Sequence, residues 1–257
     1  ELPPGRMRGL ETAYRLFGLL PDTLELRGLL LDLYAEQVAG YYDPDSAMLF
    51  GVAGAGRDEL RLVLAHEMVH ALQGEYLPLD SILKATANND RLTAAQAVLE
   101  GQATLASIEV LAPGRHVTET PQFWEMYRDQ VREKQSLMPV FARAPLVVRE
   151  ALIFPYLDGA EFMYWWNRSG PRDTMPYGRR MPTSTEQILH PDRYARGDEP
   201  VALAFAADSG VLYEDVLGEN EVRVLLASLA GSDEVGAVVP LGWGGDRFRV
   251  YESPAGP

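Results

Sequence analysis

The run Leu60-Arg61-Leu62-Val63-Leu64-Ala65-His66-Glu67-Met68-Val69-His70-Ala71-Leu72-Gln73 constrains this chain more than any other stretch. Its apolar residues read as a helix, with Asp58 as the N-cap and Gly74 just past the end. The same helix carries His66-Glu67-x-x-His70. A buried helix does not hold two His and a Glu without partners, because unpaired polar groups in an apolar interior are costly. The fold must therefore bring something to meet them. Residues four apart on a helix lie almost one above the other, so both imidazoles reach a single ion. Glu67, one step round the helix, reaches a water held by that ion.

This is the zinc-hydrolase pattern of two His ligands and a Glu general base. A catalytic zinc site takes three protein ligands and leaves a fourth position open. The chain has no Cys, so disulfides and thiolate ligands are excluded and the third ligand is a His, Asp or Glu. The position six residues beyond His70 is Tyr76, and Gln73 stands where the extended three-His motif has Gly. His116 lies in a loop, and His190 is far along the chain. A second long helix, opened by the capping box Thr93-Ala94-Ala95-Gln96 and running to about Leu111, carries Glu100 thirty residues after His70. The residues around Glu100 are small: Ala94, Ala95, Ala97, Gly101 and Ala103. Small side chains let two helices approach closely, which a carboxylate needs to reach an ion held by its neighbour. Gly101 costs a mid-helix position up to about 1 kcal/mol against Ala, so it implies a packing reason.

HExxH on one helix and a Glu on the next resembles the gluzincin zinc metallopeptidases, over about residues 60–111. The resemblance implies that His66, His70 and Glu100 hold one Zn2+ per chain and that Glu67 activates the water. It also implies a peptide or protein substrate. Gluzincins commonly draw the donor for the tetrahedral oxyanion from a downstream His or Tyr, which here makes His190 and Tyr194 the candidates. Two features depart from the better-known members. Thr104 stands where an Asp often orients a ligand His, and neither the Gly-x-Met-x-Asn motif nor the Asn-Ala-aromatic strand is present. The segments around Thr183–Pro191 and Gly242–Arg247 resemble stretches of bacterial predicted metallopeptidases.

The rest of the chain reads as scaffold. Residues 6–20 and 22–38 form two helices split by Pro21. Gly40–Gly51 is a hairpin turning at Asp43-Pro44-Asp45-Ser46, directly before the metal helix. Such an edge strand can take an extended peptide by β-addition, and Tyr41 and Tyr42 either point into the site or pack on the strand. Gly54-x-Gly56 is a connector, and residues 75–92 are a loop with a short helix. Residues 121–138 form a charged helix with a solvated face of i, i+4 pairs. An apolar helical pattern from Pro145 to about Arg168 is interrupted at Pro155, and its aromatic run Phe162–Trp166 belongs to the core or lines a specificity pocket. Residues 169–200 are a Pro-rich loop holding a short capped helix that ends at His190. Residues 219–230 are an amphipathic helix, and a Gly-Trp-Gly-Gly-Asp turn at Trp243 and Asp246 leads into a strand at 247–251.

These readings give one mainly helical α+β domain over 1–257, zincin-like, with a small β element beside the active-site helix. The metal-binding core spans about 40–111, and 112–257 completes the cleft. At 47% hydrophobic and 23% charged the chain can bury a sizeable core, and its formal charge of −14 argues against a nucleic-acid partner. No run of eighteen apolar residues suggests a membrane span. The N-terminal Glu suggests a trimmed chain, so a secreted or cell-envelope protein with a removed leader or anchor is one expectation and a cytoplasmic one another. From another functional class comes a non-catalytic, zinc-stabilised binding module with a blocked fourth position. A helical scaffold with a chance motif is the third reading.

Overall fold

The computed structural model describes residues 4–37, 40–43, 46, 48–51, 56–79, 82 and 88–252. In chain order they form α1 (Pro4–Leu16), α2 (Leu26–Gln37), β1 (Gly40–Asp43), β2 (Met48–Gly51), α3 (Arg57–Tyr76) and α4 (Asn89–Leu111). Then come α5 (Phe123–Ser136), α6 (Pro139–Arg143), α7 (Leu146–Ser169), α8 (Thr185–Leu189) and α9 (Pro191–Arg196). The chain closes with β3 (Val211–Asp215), α10 (Gly218–Ala230), α11 (Asp233–Val238) and β4 (Phe248–Tyr251). The architecture is mainly helical with two antiparallel two-stranded sheets, β1–β2 and β3–β4.

Helix α7 is the axis of the molecule. It is apolar nearly all round, as a helix enclosed by neighbours must be. Ile153 and Leu157 pack with Leu33 and Phe141, while Phe154, Phe162 and Trp166 pack with Val98 and Ile188. The helix runs unbroken through Pro155, contrary to the interruption expected there. An interior Pro removes one backbone hydrogen bond and costs about 3 kcal/mol, and burial on both sides of it outweighs that. The aromatic run is core at Phe162, Met163 and Trp166.

Helices α4 and α7 cross backbone to backbone. A methyl group on Gly101 would run into the carbonyl of Gly159, and one on Gly159 would run into the carbonyl of Ala97. The packing reason inferred for Gly101 is therefore this crossing. Helix α4 begins at Asn89, four residues before the expected capping box, because the Asn88 side chain accepts the Arg91 N–H at 2.8 Å. Thr93 instead donates to the Asn89 carbonyl at 3.0 Å.

Helix α3 also differs at both ends from the sequence reading. Gly56 is its N-cap, Asp58 and Glu59 sit in its first turn, and it continues past Gly74 to Tyr76. The acids favour the positive end of the helix dipole without capping it. The hairpin β1–β2 pairs Gly40 with Gly51 and Asp43 with Met48, beside α3. Pro44 and Asp45 of its turn, residues 52–55 of the connector and most of 80–87 lie outside the described residues.

The charged helix α5 pairs mainly with α7, and among the described residues no ion pair runs along α5 itself. Arg128 binds Asp158 at 2.9 Å and also meets Glu161, and Arg132 binds Glu150 at 2.7 Å. At the other end of the molecule, Asp246 accepts the backbone N–H groups of Leu217 and Gly218 at 2.8 and 2.9 Å, where α10 begins. It also accepts the Trp243 indole N–H at 3.0 Å, so the Trp243–Asp246 turn is structural. Gly218 has φ +78° and abuts Asp90, which leaves no room for a side chain. Among the described residues no helix is long and apolar enough to cross a membrane.

Candidate metal centre

Helices α3 and α4 bring His66, His70 and Glu100 together. The two Nε2 atoms lie 3.0 Å apart, and Glu100 Oε2 lies 3.1 Å from His66 Nε2 and 3.2 Å from His70 Nε2. Among the described residues this is the one group of three His or carboxylate ligands close enough to share an ion. The side chains are 17, 21 and 27% exposed, so solvent reaches them.

A hydrogen-bond chain sets the protonation of His70. The Gln73 amide nitrogen donates to the Leu99 carbonyl at 3.0 Å and to Gln102 Oε1 at 2.8 Å. Its oxygen is thereby turned to His70 Nδ1, 2.9 Å away. An amide oxygen only accepts, so Nδ1 carries the proton and Nε2 presents its lone pair to the cluster. Tyr177 closes the chain, donating to Gln102. Gln73 is the one buried residue of α3. Thr104, at the position where gluzincins often carry an Asp, does not take this role: its hydroxyl is buried with no hydrogen-bond partner among the described residues.

Electron-rich atoms this close repel unless positive charge lies between them. Burial pushes the Glu100 carboxyl up, but the hydrogen bonds and charges of His66 and His70 outweigh it and bring it down to about 2. Burial opposes a proton on His70, yet Glu100 raises its affinity overall. A cation does the same work as that proton. Tetrahedral zinc with bonds of about 2.1 Å sets its ligand atoms about 3.4 Å apart. The observed separations are a few tenths of an ångström shorter, so these residues fit the ion with a small outward movement.

Glu67 lies one residue from His66, and its Oε2 accepts the backbone N–H of Tyr42 at 2.9 Å. That bond holds the carboxylate from the side of β1. It also uses an N–H on the strand edge facing α3, so this group is not offered to a peptide adding to the sheet. Tyr41 stacks on Phe50 with ring centroids 4.9 Å apart and stays half exposed.

His190 and Tyr194 are not brought to the cluster. His190 Nε2 meets Glu219 Oε1 at 2.9 Å, and the Tyr194 hydroxyl donates to the Arg180 carbonyl at 2.7 Å. The capped helix α8 and Pro191 hold His190 against α10, and the Tyr194 ring packs on Phe162, Trp165 and Trp166. His116 is exposed and pairs with Glu119.

The phenol at the site is Tyr156. Its ring stacks on His66 with centroids 5.9 Å apart and planes 25° from parallel. Burial raises its pKa well above the usual phenol value, helped by the charge of Glu100, by Tyr34, by a hydrogen bond to Glu100 and by Glu67. Tyr156 and Gln73 are the site residues that the sequence reading missed. Gln73 has a readable signal, a polar residue on the face of His66 and His70 at i+3 from His70. Tyr156 has none, because only the α4–α7 crossing carries it to the site. No family model, curated protein or solved structure matches this chain.

Proposed function

We propose that this chain is a zinc-dependent peptidase. The observation that carries the reading is the convergence of His66 Nε2, His70 Nε2 and Glu100 Oε2 within 3.0–3.2 Å, with Glu67 beside them on the same helix. The His2Glu set is one used by catalytic zinc sites, and the partial exposure of its side chains favours an open fourth position over a covered one.

His66, His70 and Glu100 would hold the zinc, which would supply polarisation of a peptide carbonyl and a lowered pKa for water. Glu67 is the proton carrier. One carboxylate oxygen is held by Tyr42 N–H, and the other is free to take a proton from the attacking water and return it to the leaving amine. Tyr156 carries a phenol, protonated at neutral pH, beside Glu100. It donates to the oxygen on which negative charge collects as the carbonyl carbon becomes tetrahedral. Gln73 holds His70 in the tautomer that faces the ion.

The test is elemental analysis of the zinc-loaded protein together with cleavage of an unstructured protein substrate, with and without chelator. About one zinc per chain and chelator-sensitive cleavage are expected. Glu67→Gln is expected to retain zinc and lose cleavage, and persistent cleavage by that variant overturns the mechanism. Zinc without cleavage in the unaltered chain favours the binding module, and no zinc at all removes both readings.

A further inference from the structure

Tyr177 stands in the Pro-rich segment 170–182, outside both metal helices, yet it reaches the residues that hold His70. Its hydroxyl donates to Gln102 Oε1 and accepts from Gln73 Nε2 at 3.4 Å. Gln102 Oε1 also accepts from Gln73 Nε2 at 2.8 Å, so side chains from α3, α4 and the segment close a ring. The segment touches the same residue a second time, where Gln102 Nε2 meets Met175 Sδ at 3.7 Å. On either side of these contacts it is tied to the core. The Thr174 carbonyl accepts the Trp166 indole N–H at 2.9 Å, and the Arg180 carbonyl accepts the Tyr194 hydroxyl at 2.7 Å.

The ring has a direction. The Leu99 carbonyl and Gln102 Oε1 only accept, so Gln73 turns its nitrogen to them and its oxygen to His70. The Gln102 amide can turn end for end, and its nitrogen would then face the nitrogen of Gln73, donor to donor. Both contacts from the segment oppose that turn. The Tyr177 hydroxyl donates to the oxygen, and the Met175 sulfur, a weak acceptor, takes the nitrogen. Burial pushes the Tyr177 phenol up to about 12, against its Gln73 hydrogen bond, so it remains a donor at neutral pH.

We infer that Tyr177 is a positioning residue for the metal: through Gln102 and Gln73 it holds the His70 ring, and it couples the docking of segment 170–182 to metal binding at His66, His70 and Glu100. Such coupling is reciprocal, so the metal tightens the segment by the factor by which the docked segment tightens the metal. A chain that loses its metal therefore loosens this segment and offers the exposed Arg179 and Arg180 to proteases. The inference rests on the zinc reading of the cluster and needs no peptidase activity.

The experiment uses the full chain and zinc, with affinity read by competition with a chelator. Tyr177→Phe keeps the ring, which packs on the core of α4, α7 and α8. It is expected to weaken zinc binding about three- to tenfold, less than the roughly 10- to 100-fold typical of a residue that touches the ligand His itself. In a Gln73→Leu chain the same substitution is expected to change zinc affinity little, because the intermediary is already gone. An unchanged affinity in Tyr177→Phe, or equal losses in the two backgrounds, overturns the inference. Limited trypsin digestion reads the reciprocal effect on the unaltered chain. Saturating zinc is expected to slow cleavage after Arg179 and Arg180 by about three- to tenfold relative to cleavage after Arg115, an exposed arginine in the turn that follows α4. Equal slowing at all three sites is global stabilisation and overturns the coupling. No zinc bound by the unaltered chain removes the zinc reading and this inference together, whereas zinc bound equally with and without the Tyr177 hydroxyl removes this inference alone.

Discussion

Gly101 of α4 and Gly159 of α7 face each other without side chains, and their contact sets the distance between the helix that supplies Glu100 and the helix that supplies Tyr156. On helix propensity alone Gly101→Ala should stabilise α4 by up to about 1 kcal/mol. The contact reverses the sign. The new methyl meets backbone, which cannot rotate away, and overpacking of this kind costs typically about 1–3 kcal/mol. Thermal unfolding should show a lower Tm, by about 2–4 °C per kcal/mol for a chain of this size. Zinc affinity should fall as well, because Glu100 is the preceding residue. A raised Tm would mean that the crossing does not have this geometry.

Gln73→Leu keeps the bulk of a buried side chain and removes the acceptor for His70 Nδ1–H, along with the donor to Leu99 and Gln102. The His70 ring is then free to turn or to change tautomer. Losing such a partner of a ligand His typically lowers metal affinity about 10- to 100-fold. Titration against a competing chelator measures this directly. An unchanged zinc affinity would show that the bond seen at 2.9 Å does not orient the ligand.

Tyr156→Phe retains the ring that stacks on His66 and removes only the hydroxyl. If the phenol donates to the developing oxyanion, kcat falls about 10²- to 10³-fold while KM and zinc content change little. If it serves only to hold Glu100, zinc affinity falls and the kcat of the fully loaded protein is kept. Zinc-saturated kinetics separate the two, and the second result removes Tyr156 from the mechanism proposed above.

The two halves of this site were unequally legible in the sequence. His66, Glu67 and His70 lie within five residues of one helix, where periodicity alone places them together. Glu100 needs one further step, the small residues that suggest a close helix neighbour, and in the fold Ala97 and Gly101 make that close approach to α7 rather than to α3. His190 and Tyr194 are candidates by type and downstream position, and neither fact carries distance. The fold satisfies them elsewhere, against Glu219 and Arg180. Tyr156 depends on a crossing 58 residues apart in sequence, Gly101 against Gly159, which local pattern does not encode. The same limit explains Pro155. A helix-breaking residue reads locally as an interruption, and only the packing of both α7 faces shows why the helix continues. Strand β3 escaped the sequence reading too, since its partner β4 follows on the far side of α10 and α11.

The far end of the molecule gives a prediction that needs no metal. Glu221 is buried where α10 meets α1, α4 and β3. Its Oε1 accepts the Tyr14 hydroxyl and the Asn89 amide, both at 2.5 Å, and its Oε2 has no hydrogen-bond partner among the described residues. Burial pushes its carboxyl from 4.5 up to about 8, opposed by the Tyr14 hydrogen bond and reinforced by Asp215, Asp90 and Asp246. Burial likewise raises Asp90 from 3.8 to about 7, against its bonds from Thr185. Both groups keep a proton when folded that they lose when unfolded. Stability is therefore fullest below the unfolded pKa values near 4 and falls as pH rises through about 7 and 8. Glu221→Gln supplies a permanently neutral side chain with the same acceptor. Its unfolding free energy should match that of the unaltered chain at pH 5 and exceed it at pH 8, by an amount on the order of a few kcal/mol at about 1.4 kcal/mol per pKa unit, and its Tm should rise accordingly. Comparing the two chains at each pH cancels the contribution of the groups that both share. Parallel curves from pH 5 to 8 would mean that Glu221 folds as a charged group, and that the protein meets its charge with something other than a proton.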